Sequence, residues 1–408
     1  MPADLAVLCP GQLGLPAAQA ATAAGIATVG FTSDPRTAAL LNAGRPPGDG
    51  ALAAADLRRM LAAGFRATSD PAALGRVRTA LICAPTPPGA GHAPDLTALR
   101  AAATALAARL RPRTLVVLES AVSPGTTEEV LRPLLETGSG LRAGRDFHLA
   151  HAPARQDPGV RGAAAPRVIG GLTPACTEAA AAFYGRFTDK VVRARGVAEA
   201  EAVKLLETNY RHVNIALVNE MAVLCHDLGI DLWDVVRCAE TKPFGFHAFR
   251  PGPGVGGHTM PVVPPGRSLP MVELARQTNA RMPRYVTRRA AALLNEHGKS
   301  VRGARVLLLG VTYRPDLPDE QGAPAREIAG RLLALGAQLT YHDPFVGEWD
   351  VQGGRVPRAD SLYEAAAGAD LTLLLQHHST YDLQGLAAKA QLLLDTRGAT
   401  PAGAAHRL

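Results

Sequence analysis

Aromatic side chains make up only 4% of this sequence, and only five of its residues are lysine. With aromatics scarce, alanine and leucine must supply the core. A hydrophobic share of 47% is ample for that and argues against a disordered chain. No uninterrupted apolar run approaches the roughly 18 residues that a membrane-spanning helix needs. The start, MPADLAVLCPGQLG, carries no basic segment ahead of its apolar stretch and does not read as a secretory leader. The cysteines Cys9, Cys83, Cys176, Cys225 and Cys238 form no CxxC pair. Their scatter excludes a disulfide framework or a zinc ribbon and suits a reducing cytoplasm. Basic residues outnumber acidic ones, 43 to 36, and 38 of the 43 are arginine. They are spread along the chain and form no stripe, so no nucleic-acid partner is expected.

At roughly 150 residues per domain, the length suits two to three domains. Residues 4–9 (DLAVLC) read as a strand, Leu15–Ala24 as a helix and Ala27–Phe31 as a second strand, the opening of a βαβ unit. Further buried strands are expected at Thr79–Ala84 and Leu115–Leu118, with a helix over Asp95–Leu110 between them. Residues 198–229 keep apolar residues at helical spacing without a proline, which predicts one long buried helix acting as an interdomain spine. A Gly/Pro-rich loop follows at Phe249–Gly266, and a second strand–turn–helix pattern starts at Arg305–Gly310. More strands are expected at Gln338–Tyr341, Leu371–Leu375 and Leu392–Asp395. The pattern predicts α/β ends, each a doubly wound parallel sheet, around a helical middle.

Cys9-Pro10-Gly11-Gln12-Leu13-Gly14 lies between the first strand and the first helix. It matches the GxGxxG dinucleotide fingerprint with its first glycine replaced, and a cysteine there is expected to strain the turn. Gly11 keeps the place where backbone approaches a pyrophosphate, Gly14 the place of close helix–strand packing, and the helix start attracts phosphate. The acidic residue that would bind the ribose hydroxyls is absent: the position holds Thr32, in Val29-Gly30-Phe31-Thr32-Ser33-Asp34-Pro35-Arg36. Thr32, Ser33 and Arg36 suit the 2′-phosphate of NADP. Ordinary NAD, NADP and a weakened or lost cofactor are all open on the sequence.

A series of ordered segments resembles the UDP-glucose/GDP-mannose dehydrogenase family, and within it the UDP-N-acetylhexosamine 6-dehydrogenases. The segments are GQLGLP (11–16), APTP (84–87), PDL (94–96), the ES and PGTTEEV stretch around 119–130, PRVIGG (166–171), AEAVKLLET (200–208) with VNIALVNE, TKPFGF (241–246), PGPGVGGH (251–258), GVTYRPD (310–316), YHDP (341–344) and DTRG (395–398). The resemblance implies two Rossmann-like domains joined by a long central helix and a helical middle domain. Residues 1–195 would bind the dinucleotide, 196–298 would form the central, dimerising part, and 299–408 would bind the nucleotide of a sugar. It implies oxidation of a nucleotide-sugar CH₂OH to a carboxylate by two NAD, through a cysteine thiohemiacetal and thioester. Thr86 and Ser120 are carried over as cofactor contacts, and Gly254, Gly257 and Arg314 as substrate contacts.

The chain departs from the family at the positions that carry this chemistry. Thr259 stands where the family has its cysteine nucleophile, and a threonine hydroxyl is a far weaker nucleophile than a thiolate. Val263 replaces an aspartate, Ala154 a glutamate, Ala121 a threonine and Thr208 an asparagine. Gln321 stands for an arginine, and Arg314 for a lysine. The stretch between Pro264 and Met271 is shorter than the family's.

Among what remains, Lys204 and His258 are the candidate catalytic groups, as an oxyanion stabiliser and a general acid or base. A solvated helix lysine and a turn histidine are their bland counterparts. His377 and His378 lack a third ligand at useful spacing, so no metal is expected. Three readings stay open: a repurposed enzyme acting on a nucleotide, sugar or related small molecule; an NAD(P)-dependent dehydrogenase that stops after two electrons; and a non-catalytic partner protein. A homodimer is expected in each case.

Overall fold

The computed structural model describes residues 3–47, 52–87, 89, 94–155, 165–255, 267–320 and 322–408. They fall into two compact units, one reaching to Glu207 and the other running from Thr208 and including Leu269–Leu408.

In the first unit the strands are β1 (Leu5–Leu8), β2 (Thr28–Phe31), β3 (Arg66–Thr68), β4 (Thr79–Ile82), β5 (Leu115–Leu118), β6 (His148–His151), β7 (Arg167–Gly171) and β8 (Val191–Arg193). Between them run helices α1 (Gly14–Ala23), α2 (Pro35–Asn42), α3 (Ala54–Ala62), α4 (Thr97–Ala107), α5 (Arg132–Ser139) and α6 (Pro174–Tyr184). The sheet order is β3-β2-β1-β4-β5-β6-β7-β8. All neighbours are parallel except β6 and β7. Strand alternation sorts the apolar side chains onto the two faces. Leu5, Val7, Leu81 and Val117 pack with Leu15 and Ala18 of α1 and Ala180 and Tyr184 of α6. Ala6, Leu8, Ala80 and Val116 pack with Leu99 and Ala103 of α4 and Leu135 of α5. The strand order reverses between β1 and β4, and the crevice outside their carboxyl ends is the place where open α/β sheets bind ligands.

The long helix α7 spans Val197–Asp227, as its periodicity predicts. It is not buried all round. Tyr210, Leu217, Leu224 and Leu228, the last just beyond its end, are 46%, 59%, 49% and 62% exposed. The expectation of a fully buried helix is therefore corrected: its apolar residues cover more of the circumference than this chain packs against.

In the second unit α8 (Leu232–Ala239) and α9 (Pro270–Glu296) precede a parallel sheet of β9 (Arg305–Leu309), β10 (Gln338–His342), β13 (Leu371–Leu374), β14 (Leu393–Asp395) and β15 (His406–Arg407), in the order β10-β9-β13-β14-β15. A small hairpin, β11 (Trp349–Val351) with β12 (Gly354–Val356), lies outside it. Val306, Leu308 and Leu373 pack on Val286 and Leu294 of α9 and on Ile328 and Leu332 of α10 (Pro324–Ala334). Leu307, Leu309 and Leu374 face Ala366 of α11 (Leu362–Gly368) and Leu386 of α12 (Leu383–Lys389). This sheet has its own reversal between β9 and β13, so it too opens a crevice at its carboxyl edge.

Candidate functional site

Cys9, which follows β1, has φ +61°, the left-handed conformation a glycine would adopt without strain. The chain accepts it to make the tight turn, closed by the Gly11 amide donating to the Cys9 carbonyl at 2.8 Å. Burial pushes the Cys9 thiol pKa up, which disfavours a reactive thiolate. A Cβ at Gly14 would lie 2.9 Å from the Cys9 carbonyl oxygen and from Val7 Cγ1, so α1 can approach β1 only because this residue has no side chain. At Gly11 a Cβ would meet nothing within 4 Å, leaving open space beside the backbone. The first turn of α1 carries neither a side-chain cap nor an acidic residue to compete with an anion, although the Leu15 amide already donates to the Gly11 carbonyl at 3.0 Å and Pro16 has no N–H. These features fit the pyrophosphate of a dinucleotide.

At the ribose end, Leu8 pairs with Phe31, so Thr32 stands just past the end of β2. The nearest carboxylate, Asp34, is turned into α2. It accepts from the Arg36 amide at 3.0 Å, the Thr37 amide at 3.1 Å and the Thr37 hydroxyl at 2.6 Å. The Thr37 hydroxyl bond, first among these, holds its pKa below the usual carboxylate value. Arg36 is exposed on the first turn of the same helix.

Thr86 and Ser120 brace the crevice. Thr86 Oγ1 donates to the Ala121 carbonyl and Ser120 Oγ to the Ala84 carbonyl, each at 2.7 Å, tying the ends of β4 and β5 together. Both hydroxyl protons are thereby committed. Beneath them lies a buried network that the sequence reading did not assign. Glu119 is 1% exposed and accepts from Arg167 Nη2 at 2.7 Å and from the Tyr184 hydroxyl. Cys83 Sγ lies 3.8 Å from its other oxygen. Burial, then the Glu119 charge, pushes both Tyr184 and Cys83 well above their ordinary pKa values. His151, at the end of β6, is 1% exposed, and neither ring nitrogen has a partner. Burial, aided by Arg167, pushes its pKa down to about 3, so it stays neutral.

Ala154 lies just beyond, on a cavity of about 200 Å³ lined also by Leu13, Glu119, Arg155, Arg167 and Asp189. Arg155 is held by Glu207, Nε to Oε1 at 2.8 Å, and by the Pro166 carbonyl. Of the two carboxylates on this cavity, Glu119 is locked in its network and Asp189 is exposed at the surface.

Lys204 is half-buried on α7. One turn before it, the fully buried Glu201 accepts from the Gly125 amide at 2.6 Å, the Thr127 amide at 2.8 Å and the Thr127 hydroxyl at 2.6 Å, anchoring the PGTT segment. Thr208 follows on the same helix.

In the second unit, Asn219 Oδ1 accepts from the Gly252 amide at 3.0 Å, while its Nδ2 donates to Asn279 at 2.9 Å. The loop carrying Gly254 is thus pinned to α7, a structural reason for retaining VNIALVNE and PGPG together. Gly257, His258, Thr259, Val263 and Gln321 lie outside the described residues.

Arg314 stands in the turn after β9 with Nη1 buried and unpartnered, and Asp319 Oδ2 in the same turn is also buried without a partner. His378, fully buried, directs Nε2 at Asp343 Oδ2 at 3.0 Å and accepts the Asp316 amide at Nδ1 at 2.9 Å. It ties the loops after β9, β10 and β13 together. Among the described residues no three His, Cys, Asp or Glu side chains converge as they would around a metal ion.

Three models of the UDP-glucose/GDP-mannose dehydrogenase family match the chain in succession: the NAD binding domain over residues 3–188, the central domain over 198–283 and the UDP binding domain over 307–402. The UDP-N-acetyl-D-mannosamine dehydrogenase of Pyrococcus horikoshii is 30% identical over 392 residues, 92% of this chain and 90% of its own. The UDP-N-acetyl-D-glucosamine 6-dehydrogenase of Pseudomonas aeruginosa is 35% identical over 283 residues, 66% of this chain and 67% of its own. The solved structure of the UDP-D-ManNAc dehydrogenase from Pyrococcus horikoshii has a TM-score of 0.85 at 28% identity, covering 98% of this chain and 97% of that one. The fold, the two switch-point crevices and these matches agree: the chain belongs to the UDP-glucose/GDP-mannose dehydrogenase family.

Proposed function

We propose that this protein is a repurposed nucleotide-sugar dehydrogenase homologue, which binds a dinucleotide and a nucleotide-sugar-like ligand but does not make a sugar acid through a thioester. The observation that carries this is the surroundings of Ala154. Of the two carboxylates among the described residues lining the cavity there, Glu119 is locked by Arg167 and Tyr184 and Asp189 is turned out to the surface, so neither takes the place of a base at position 154. Thr259 in place of the thiol removes the covalent step independently. Dinucleotide binding is supported by the Gly11–Gly14 turn and by the family's NAD binding domain. A nucleotide-sugar ligand is supported by the UDP binding domain and by the orphaned Arg314 donor at the second crevice, a group suited to a diphosphate. Lys204 and His258 are the polar groups assigned to the remaining chemistry. A homodimer through α7 is supported by its exposed Tyr210, Leu217 and Leu224.

The Gly11–Gly14 turn favours one further reading, a two-electron oxidation of CH–OH. One hydride would pass to NAD(P)⁺ and one proton to a base, giving the carbonyl product and NAD(P)H without a thiol. The test is to incubate purified protein with UDP-N-acetylglucosamine or UDP-N-acetylmannosamine and NAD⁺ or NADP⁺, following NAD(P)H by absorbance and products by mass spectrometry. No uronate is expected. NAD(P)H with an aldehyde or ketone product selects the two-electron reading, whereas uronate at ordinary enzymatic turnover defeats the proposal.

A further inference from the structure

The ribose end of the first crevice presents an unusual balance of hydrogen-bond donors and acceptors. A dinucleotide with a free 2′-hydroxyl is ordinarily held by a carboxylate past the second strand, because the sugar hydroxyls donate to it. Here that place is Thr32, whose Oγ1 already accepts the Asp34 amide at 3.3 Å and therefore has its own proton left to offer. The carboxylates just past β2 and its neighbour β3 cap helices. Asp34 accepts two amides and a hydroxyl of α2, and Asp70, past β3, accepts the Ala72 amide at 2.9 Å. Toward a ligand this corner offers the Thr32 and Ser33 hydroxyls, each able to donate one proton, and the exposed Arg36 guanidinium. A phosphate dianion accepts from hydroxyls and from guanidinium in charge-assisted bonds, whereas a bare ribose diol would have to share carboxylates already engaged in capping helices.

We propose that this chain takes the 2′-phosphorylated dinucleotide, NADP(H), in preference to NAD(H), with Arg36 and the Thr32 hydroxyl holding the 2′-phosphate. The inference rests on the reading of the Cys9–Gly14 turn as a dinucleotide site and adds the specificity of its adenosine end.

Calorimetric titration of the full-length protein with NADP⁺, NAD⁺, 2′,5′-ADP and 5′-AMP tests it without any turnover. NADP⁺ is expected to bind at least about tenfold more tightly than NAD⁺, near 1.4 kcal/mol, and 2′,5′-ADP to bind where 5′-AMP does not. Arg36→Ala is expected to narrow the NADP⁺-to-NAD⁺ ratio by roughly tenfold, and Thr32→Asp to invert it. Thr32 is half-buried and Arg36 exposed, and thermal midpoints matching the parent confirm that the variants are folded. NAD⁺ binding as tightly as or more tightly than NADP⁺ would overturn the proposal and leave the dinucleotide site standing. Should neither dinucleotide nor 2′,5′-ADP bind at millimolar concentration, the dinucleotide reading falls, and this inference with it.

Discussion

The two parallel sheets solve one problem with different residues. Each must turn sharply after its first strand so that the chain can cross its switch-point crevice. After β9 the turn residue is Gly310, with φ +70°; after β1 it is Cys9, with φ +61°. At Gly310 a Cβ would sit 2.2 Å from the Gln376 carbonyl oxygen, so nothing larger fits. Cys9 has room, and the chain bears a conformational cost of about 1–2 kcal/mol for a side chain in that region. The left-handed turn is thus a requirement of the fold, while the glycine is a requirement only where backbone crowds it. Below each turn lies a buried acid matched to a different partner: Glu119 to the fixed cation Arg167, and Asp343 to His378. Burial opposes the Asp343 charge, but the His378 bond and the Phe345 and Val311 amides outweigh it and hold the carboxyl below its ordinary pKa.

The comparison yields tests of decreasing size. Removing the cation in the first pair, Arg167→Met, leaves Glu119 buried and uncompensated, an expected loss of about 3–5 kcal/mol in denaturant unfolding. The double change Glu119→Leu, Arg167→Met should recover most of it. If the double variant is no better than the single, the pair is not coupled as drawn. Gly310→Ala combines a left-handed alanine with a backbone clash and should cost about 3 kcal/mol or more. A loss under about 1 kcal/mol would mean that this turn is as tolerant as the one at Cys9.

His151 sets a pH dependence. Its pKa falls from an ordinary 6.5 to about 3 on folding, so the unfolded chain takes up a proton that the folded chain refuses. Stability contributed by the neutral imidazole is complete above pH 6.5 and declines as pH falls toward 3. The slope is at most one proton, about 1.4 kcal/mol per pH unit. His151→Leu should flatten that part of the profile, and an unchanged profile would remove His151 as its source. The smallest effect is Cys9→Gly, where relief of the left-handed strain exceeds the added chain entropy by about 0.5–1 kcal/mol of gain. A loss instead would show that thiol packing outweighs the strain.

Local pattern made much of this molecule legible. The apolar runs at Leu5–Leu8, Leu115–Leu118 and Arg305–Leu309 became strands within a residue or two of their expected ends, because a strand buried on both faces must be apolar throughout. The long period over 198–229 became α7 for the same reason of periodicity. Gly11, Thr32 and Arg314 stand in turns at the carboxyl edges of their sheets and Gly14 opens the helix that follows, where strand–turn–helix order places them. Glu119, Arg167 and Tyr184 carry no such signal. They are separated by 48 and 65 residues in the contacts they make, and only the pairing of strands together with the packing of α6 on the sheet brings them together.

The sequence by itself determined the α/β alternation and the strand–turn–helix order at both crevices, since these depend on residue type and near neighbours. Tertiary structure alone decided that Asp34 caps a helix, that Glu119 is locked by an arginine, and that one side of α7 is left bare. Each of those depends on which distant surfaces meet, and hydrophobic periodicity carries no information about the partner across a contact.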